Sequence, residues 1–237
     1  MNEKSLSIVL PCYNEEESVA HCMEQILQWQ QASQGKIFDR IEIIVVDDGS
    51  TDSSLQQLKS FQHLIKLFSF DSNQGYGAAL KHGFRNSTGR LIAFYDFDQT
   101  CHPADLENLG LSLLKNEADL VLGRRLHNHS QMPLHRNLGN KLYSTMLKWF
   151  LGSSLTDVCT GFRVFDAKWI PLFSDGLPND LNYSLAMTII ALKKNLKVIE
   201  KKIHYGDRGG TSKLNSFRHG LQFLFTTLAF SLRKSRP

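Results

Sequence analysis

The chain predicts an α/β fold in a single domain, a mostly parallel sheet with helices on both faces. Short apolar runs alternate with longer amphipathic segments along most of its 237 residues, the pattern of successive β-α units. Two of those runs end in paired acids, Asp47-Asp48 after residues 41–46 and Asp96-Phe97-Asp98 after residues 91–95. The length suits one such domain with a large core and is short for two.

In order, residues 6–10 read as a buried strand, which Pro11-Cys12-Tyr13-Asn14 breaks before a helix over residues 15–31. The β-branched run 41–46 closes at Asp48-Gly49-Ser50, with Thr51 or Asp52 placed to cap a helix that reaches residue 61. Residues 64–70 give a third strand, 75–84 a helix despite its glycines, 91–95 a fourth strand, 103–116 a helix and 119–122 a fifth strand. Residues 124–135 are polar and turn-rich, as in an active-site loop. Residues 138–150 have helical periodicity, with Leu142, Met146, Trp149 and Phe150 in one stripe and Lys141 and Lys148 off it. That stripe is expected to face the core, and the alternative is a helix lying in a membrane interface. A further helix over 182–194 and a strand over 197–203 complete the pattern.

Composition excludes some functions. A net charge of +4 is mild, and no basic run with interleaved aromatics marks a nucleic-acid surface. Cys12, Cys22, Cys101 and Cys159 lack the paired spacing of a zinc site or a disulfide framework. The N-terminus lacks the long apolar stretch and small-residue cleavage site of a signal peptide, so a cytoplasmic location is expected. Gly75-Tyr76-Gly77 is not a dinucleotide fingerprint, since the third glycine is absent; those glycines read as close helix-to-strand packing.

The acids carry the chemistry. In an open α/β sheet, ligands bind beyond the carboxyl ends of the parallel strands, where four carboxylates would repel unless a cation sat among them. Mg²⁺ is commonly held by one or two carboxylates plus substrate phosphates, so a metal-bridged nucleotide diphosphate is the implied ligand. Asp47 to Asp52 would also serve a plain turn and helix start.

Pro11-Cys12-Tyr13-Asn14-Glu15, Val46-Asp47-Asp48-Gly49-Ser50-Thr51-Asp52 and Asp96-Phe97-Asp98, in that order, resemble the inverting nucleotide-sugar glycosyltransferases of GT-A fold. Gly123-Arg124-Arg125, Arg136 with Asn140, Asp157 before Gly161-Phe162-Arg163, and Arg208 with Ser212-Lys213-Leu214 look like the dolichyl-phosphate mannose synthase and polyprenyl-phosphate glycosyltransferase branch. The resemblance implies a UDP- or GDP-sugar donor, a lipid-phosphate acceptor and Mg²⁺ or Mn²⁺. By similarity Pro11, Tyr13 and Glu15 border the nucleotide, and Asp47 or Asp48 meets its base or ribose. Asp96, Phe97 and Asp98 adjoin the donor, with Asp98, Asp96 and Gln99 as the metal set. A phosphate acceptor needs cations more than a base, so Arg125, Arg136, Arg163, Arg208 and Lys213 are the expected suppliers. Asp157 either orients one of them or assists the acceptor. A sugar-hydroxyl acceptor, which would require a carboxylate base, and a silent nucleotide-sugar scaffold remain as alternatives. The sequence departs from the branch at Cys101-His102, at Arg124, and at Asn182-Tyr183-Ser184, where many relatives have a glutamate.

Residues 1–216 are assigned to the catalytic domain and 217–237 to an apolar C-terminal helix with a basic tail. Residues 220–232 are too short to span a bilayer, but Leu221, Phe223, Leu224, Phe225, Leu228 and Phe230, followed by Arg233, Lys234 and Arg236, fit a membrane interface. The alternative is a helix packed on the domain or in a dimer. A peripheral enzyme on the cytoplasmic membrane face is the expectation. Residues 206–213, rich in glycine, read as a loop closing over the diphosphate.

Overall fold

The computed structural model describes residues 4–126, 134–206 and 216–232, with the backbone alone for 134–136, 216–221 and 232. Among the described residues seven strands form one sheet: β1 (Ser5–Cys12), β2 (Arg40–Asp47), β3 (Lys66–Ser69), β4 (Leu91–Phe94), β5 (Leu120–Arg124), β6 (Arg163–Asp166) and β7 (Val198–Lys202). Their spatial order is β3-β2-β1-β4-β6-β5-β7. All pairings are parallel except those of β6, which runs antiparallel to both β4 and β5. The predicted class is therefore observed, with one strand, β6, that the sequence pattern did not show.

Strands buried on both faces read as near-continuous apolar runs. Alternate residues then feed two cores. Leu6, Ile8, Leu10, Ile43 and Val45 face α1 (Val19–Ser33) and α4 (Asp105–Leu114). Val9, Ile44, Val46, Ile92 and Phe94 face α3 (Tyr76–Arg85), α5 (Leu134–Leu151) and α7 (Tyr183–Lys193). A short α2 (Ser54–Lys59) precedes β3, and α6 (Ile170–Ser174) follows β6 after a 3-10 turn at Ala167–Trp169. The last helix, α8 (Ser216–Leu232), packs against α5 and α7. Phe223 meets Tyr143 edge-on at 5.7 Å, and Lys193 Nζ donates to the Phe230 and Ser231 carbonyls at 2.8 and 3.2 Å. That lysine serves the exposed carbonyls of a helix end.

Two helices start later than their sequence suggests, for one reason. The Asn14, Glu15 and Glu16 N–H groups donate to Ser50 Oγ, Ser54 Oγ and Asp52 Oδ2, so α1 begins only at Val19. Asp52 does serve the start of α2, its Oδ1 accepting the Ser54 N–H at 2.9 Å, whereas the Thr51 N–H donates to Asn14 Oδ1 at 2.7 Å and α2 starts only at Ser54. Side chains from the neighbouring loops take up N–H groups that a helix start leaves without an intrahelical acceptor and hold them in the preceding turns.

The α5 stripe is corrected as well. Tyr143 and Leu147 face the core, with Asn140 and Ser144 also buried, whereas Leu142 is 52 % exposed, Phe150 44 % and Trp149 82 %. Of the stripe only Met146 packs against the core, while Leu142, Trp149 and Phe150 face outward.

Near the start of β2, Glu42 bridges to Lys66 at 2.7 Å and accepts from Ser7 Oγ and from the Thr88 N–H and hydroxyl. Burial alone would raise its pKa, but these partners together bring it down to about 2. A depressed carboxylate contributes stability above its unfolded pKa and loses it as pH falls through the folded value. Melting temperature should therefore drop between about pH 4.5 and pH 2. Glu42→Gln should flatten that part of the profile and cost about 2 kcal/mol at pH 7; an unchanged acid limb in the variant would refute the assignment.

Candidate active site

The carboxyl ends of β2, β1 and β4 lie side by side, because β1 is flanked by β2 and β4 with Cys12 opposite Asp47 and Val9 opposite Phe94. The chain reverses its winding direction between β3 and β4, which makes the β1/β4 edge the switch point where such sheets bind ligands. The end of β5 and the start of the antiparallel β6 open on the same edge. Hence the Tyr13, Asp47, Asp96, Arg125 and Asp157 segments converge, although over 140 residues separate the first from the last.

Within that edge the acids divide their labour. Asp47 is fully buried, accepting from Ser69 Oγ at 2.9 Å and from the Ser50 N–H at 3.3 Å. Asp48 accepts from Asn73 Nδ2 and from the Gln74 and Gly75 N–H groups, with Gly75 at φ +105. Its pKa is raised, by burial first and with the Asp47 charge contributing. Both carboxylates accept from protein donors and hold the turns that wall the crevice, the plain-turn role the sequence also allowed. The Phe97 ring lies in the core. Pro11 is buried within β1 opposite Val46. Tyr13 and Glu15 stay half-buried at the rim.

A latch that the sequence reading missed joins the first two motifs. Beyond the three N–H bonds that delay α1, Glu16 Oε2 accepts from the Ser53 N–H and hydroxyl, and Gln57 Nε2 donates to the Glu16 carbonyl. Asn14, at φ +50, anchors it. The only forewarning was the density of Ser, Thr, Asp and Asn in residues 50–54.

At the end of β4, Asp96 is half-buried and Asp98 buried. Asp98 Oδ1 accepts from the Thr100 N–H at 3.1 Å and hydroxyl at 2.6 Å. Gln99 takes φ +65 and its amide points toward the Glu17 carbonyl, 3.5 Å away. The Asp96 carboxylate lies directly against Gly161: a Cβ added there would stand 2.7 and 2.8 Å from its two oxygens.

Arg125 and Asp157 form the second half of the site. Arg125 donates through Nε at 3.0 Å and Nη2 at 2.7 Å, while its backbone N–H donates to Asp157 Oδ2 at 2.8 Å. Its guanidinium centre lies 5.5 Å from the Tyr205 ring centroid. Burial works against the charge, but Asp157 overrides it and raises the arginine above its usual value. Asp157 is 0 % exposed, its own N–H given to Glu200 Oε1. Of its two expected roles, orienting a cation is the one this geometry performs. Arg163, expected at the acceptor phosphate, is corrected: it is 0 % exposed and donates to the Thr160 and Val158 carbonyls. Burial pushes its pKa down to about 10. It shapes the 157–162 loop from behind. The Arg136 side chain, Arg208, Lys213, most of the 124–135 loop, residues 207–213 of the predicted closing loop and the basic tail lie outside the described residues.

Residues 7–171 match the family model described as glycosyl transferase family 2. The chain belongs to that family. A low-salt glycan biosynthesis hexosyltransferase of Haloferax volcanii is 31 % identical over 224 residues, covering 91 % of this chain and 51 % of the relative, so the chain spans about half that protein's length. The dodecaprenyl-phosphate galacturonate synthase of Rhizobium johnstonii is 26 % identical, with 98 % of this chain and 69 % of the relative covered. The dolichyl-phosphate beta-glucosyltransferase of Saccharomyces cerevisiae is 25 % identical, with 87 % and 68 % covered. Glucosyl-3-phosphoglycerate synthase of Mycobacterium tuberculosis, solved with Mn²⁺, UDP and phosphoglyceric acid, superposes with a TM-score of 0.74 at 18 % identity over 98 % of this chain and 80 % of that one. That likeness shows the GT-A fold.

Asp96, Asp98 and Gln99 offer two carboxylates and one amide oxygen within four residues, hard donors of the type a divalent cation takes. Among the described residues no group of three or more His, Cys, Asp or Glu is gathered so that it could hold a metal ion.

Proposed function

We propose that this family 2 enzyme moves a sugar, with inversion, from a nucleotide diphosphate to a polyprenyl-type lipid phosphate. The observation that carries the acceptor class is the bidentate Arg125–Asp157 pair. A hydroxyl acceptor needs a carboxylate free to take its proton, and the buried carboxylate beside Arg125 is committed to that arginine on both oxygens. What this edge offers an acceptor is a fixed guanidinium, the partner of a phosphate. A phosphate oxygen is already anionic near neutral pH and attacks the anomeric carbon without a base. The printed substrates of the Rhizobium and yeast relatives, lipid phosphates both, support the same reading.

Asp98, Asp96 and Gln99 would hold Mg²⁺ or Mn²⁺, which when bound neutralises charge on the departing nucleoside diphosphate. Tyr13 and Glu15 would border the nucleotide, and Asp96 would face ribose or sugar. Arg125 would fix the acceptor phosphate for in-line attack, with Arg136, Arg208 and Lys213 adding positive charge around the two phosphate groups.

Lipid access is supported by the outer face of α5. Leu138, Leu142 and Trp149 share one side of the helix and are exposed beside Lys141 and Lys148, and Phe225 of α8 is exposed too. Apolar side chains flanked by lysines suit an interfacial helix at an anionic surface. No described helix is long and apolar enough to cross a membrane.

The test is calorimetric or thermal-shift titration with UDP, GDP and their sugars, in Mn²⁺ and in EDTA, followed by transfer assays to polyprenyl phosphate and to a glycolipid alcohol. Expected are metal-dependent stabilisation by one nucleotide and product with the phosphate alone. Product with the alcohol alone would overturn the acceptor assignment, and no response to any nucleotide would overturn the whole reading.

A further inference from the structure

Residues 203–206, which follow β7, join the two halves of the site and take no part in the transfer proposed above. Each of the four is anchored. The Ile203 N–H donates to the Arg124 carbonyl at 3.2 Å, which continues the β5–β7 pairing up to the residue before Arg125. The His204 N–H donates to Asp105 Oδ2 at 2.8 Å, and its ring Nδ1 lies 3.1 Å from Oδ1 of the same buried carboxylate. Tyr205 forms an antiparallel bridge with Cys101, and the Gly206 N–H donates to the Thr100 carbonyl at 2.9 Å. Thr100 in turn holds Asp98 through its own N–H and hydroxyl. The segment therefore runs from the acceptor arginine to the loop of the donor acids.

From that fixed backbone Tyr205 carries a half-buried ring against Arg125, whose guanidinium centre is 5.5 Å from the ring centroid. That is within the range at which a cation is attracted to a ring face. Asp157 takes Nε and Nη2 of the same guanidinium, which leaves Nη1 for an incoming anion. A bidentate pair aligns the guanidinium with the carboxylate but lets it tilt out of their common plane. A ring packed on the guanidinium opposes the tilt, an interaction that the planar group of arginine makes well and an ammonium does not. The ring thus limits the freedom that Asp157 leaves open.

We propose that Tyr205 is a positioning residue for the acceptor: its ring holds Arg125 against tilting, so that Nη1 meets the acceptor phosphate at a set distance from the donor loop to which the Tyr205 backbone is bridged. The ring face is the working part, not the hydroxyl. This rests on the assignment of Arg125 to the acceptor phosphate made above.

The test compares Tyr205→Leu and Tyr205→Met, which fill the place without a ring, with Tyr205→Phe, which keeps one. All are made in the full chain and assayed with Mn²⁺, a polyprenyl monophosphate and whichever of UDP-glucose, UDP-galacturonate and GDP-mannose the wild type turns over. Both ring-less variants should raise KM for the lipid phosphate about ten-fold. Their affinity for the nucleoside diphosphate should be unchanged, because the backbone bridge to Cys101 remains. Tyr205→Phe should recover all but about two-fold of the loss. In an Arg125→Ala background, Tyr205→Leu should add almost nothing to the defect. A wild-type KM for the lipid phosphate in the ring-less variants, a phenylalanine variant as impaired as the leucine one, or nucleotide affinity falling in step with the acceptor would each overturn the proposal alone. If Arg125→Ala itself keeps the wild-type KM for the lipid phosphate, the acceptor assignment falls and this proposal with it.

Discussion

Asp157→Asn should lower kcat/KM for transfer about 100- to 1000-fold while leaving metal-dependent nucleotide binding in place. The carboxylate is wholly buried and holds Arg125 by three donors. An asparagine can accept from one of the side-chain nitrogens but carries no charge. The guanidinium would then be both poorly aimed and uncompensated in a site where 15 % of its side chain meets solvent. Breaking a buried ion pair at one partner costs about 3 to 5 kcal/mol, or about 10 °C in melting temperature at this size, so the variant is best assayed well below its new midpoint. The role is separated from general-base catalysis by a cycle. If Asp157 acts through Arg125, Asp157→Asn costs little more in an Arg125→Ala background than Arg125→Ala does alone, because the group it orients is already gone. If it takes a proton from the acceptor, the losses multiply and the basic shape of the pH-rate profile changes with it. Multiplicative losses would put the hydroxyl-acceptor reading, so far the alternative, in first place.

The strands that carry the site were legible because parallel strands covered on both faces write themselves as unbroken apolar runs, and their carboxyl ends are where polar residues must resume. Asp47, Asp96 and the end of β5 could be placed on one edge from that rule. β6 escaped it: four residues with a charge at each end, Arg163 and Asp166, are too short and too polar at the margins to show a period. The direction in which a side chain points was the harder matter. Phe97 stands between Asp96 and Asp98 in sequence yet turns into the core, since neighbouring residues leave the backbone on opposite sides. Arg163 reads as a free cation, and only the fold reveals that two loop carbonyls consume it. In α5 both faces carry apolar residues, so periodicity identifies a stripe without saying which one the sheet will cover. Tyr143 and Leu147 win that place because buried Asn140 and Ser144 beside them bond the Thr156 carbonyl, which leaves Leu142 and Trp149 outside. Asp47 and Asp48 show the same division: the acids stand on the crevice edge as the strand-end rule places them, and their oxygens do what the plain-turn reading describes.

Gly161→Ala should reduce kcat/KM about 100-fold with little loss of stability. The new Cβ would lie 2.7 Å from Asp96 Oδ2 and 2.8 Å from Oδ1, closer than atoms can stand. Something must move, and the cheapest thing to move is the end of a short side chain, not the backbone of the 157–162 loop, which Arg163 and Asn140 hold from two sides. The overpacking is thus relieved by turning Asp96, at the low end of the 1 to 3 kcal/mol such insertions cost, and melting temperature should change by about 3 °C or less. The same turn displaces the carboxylate from where the donor needs it, and about 1 Å of misplacement is enough for a 100-fold loss. Affinity for the nucleoside diphosphate alone should fall much less than affinity for the sugar nucleotide, because Asp98, fixed separately by Thr100, keeps its place. Wild-type turnover in Gly161→Ala would mean that Asp96 does not face the donor. A large drop in melting temperature with no selective loss of the sugar nucleotide would mean that the loop yields instead of the carboxylate.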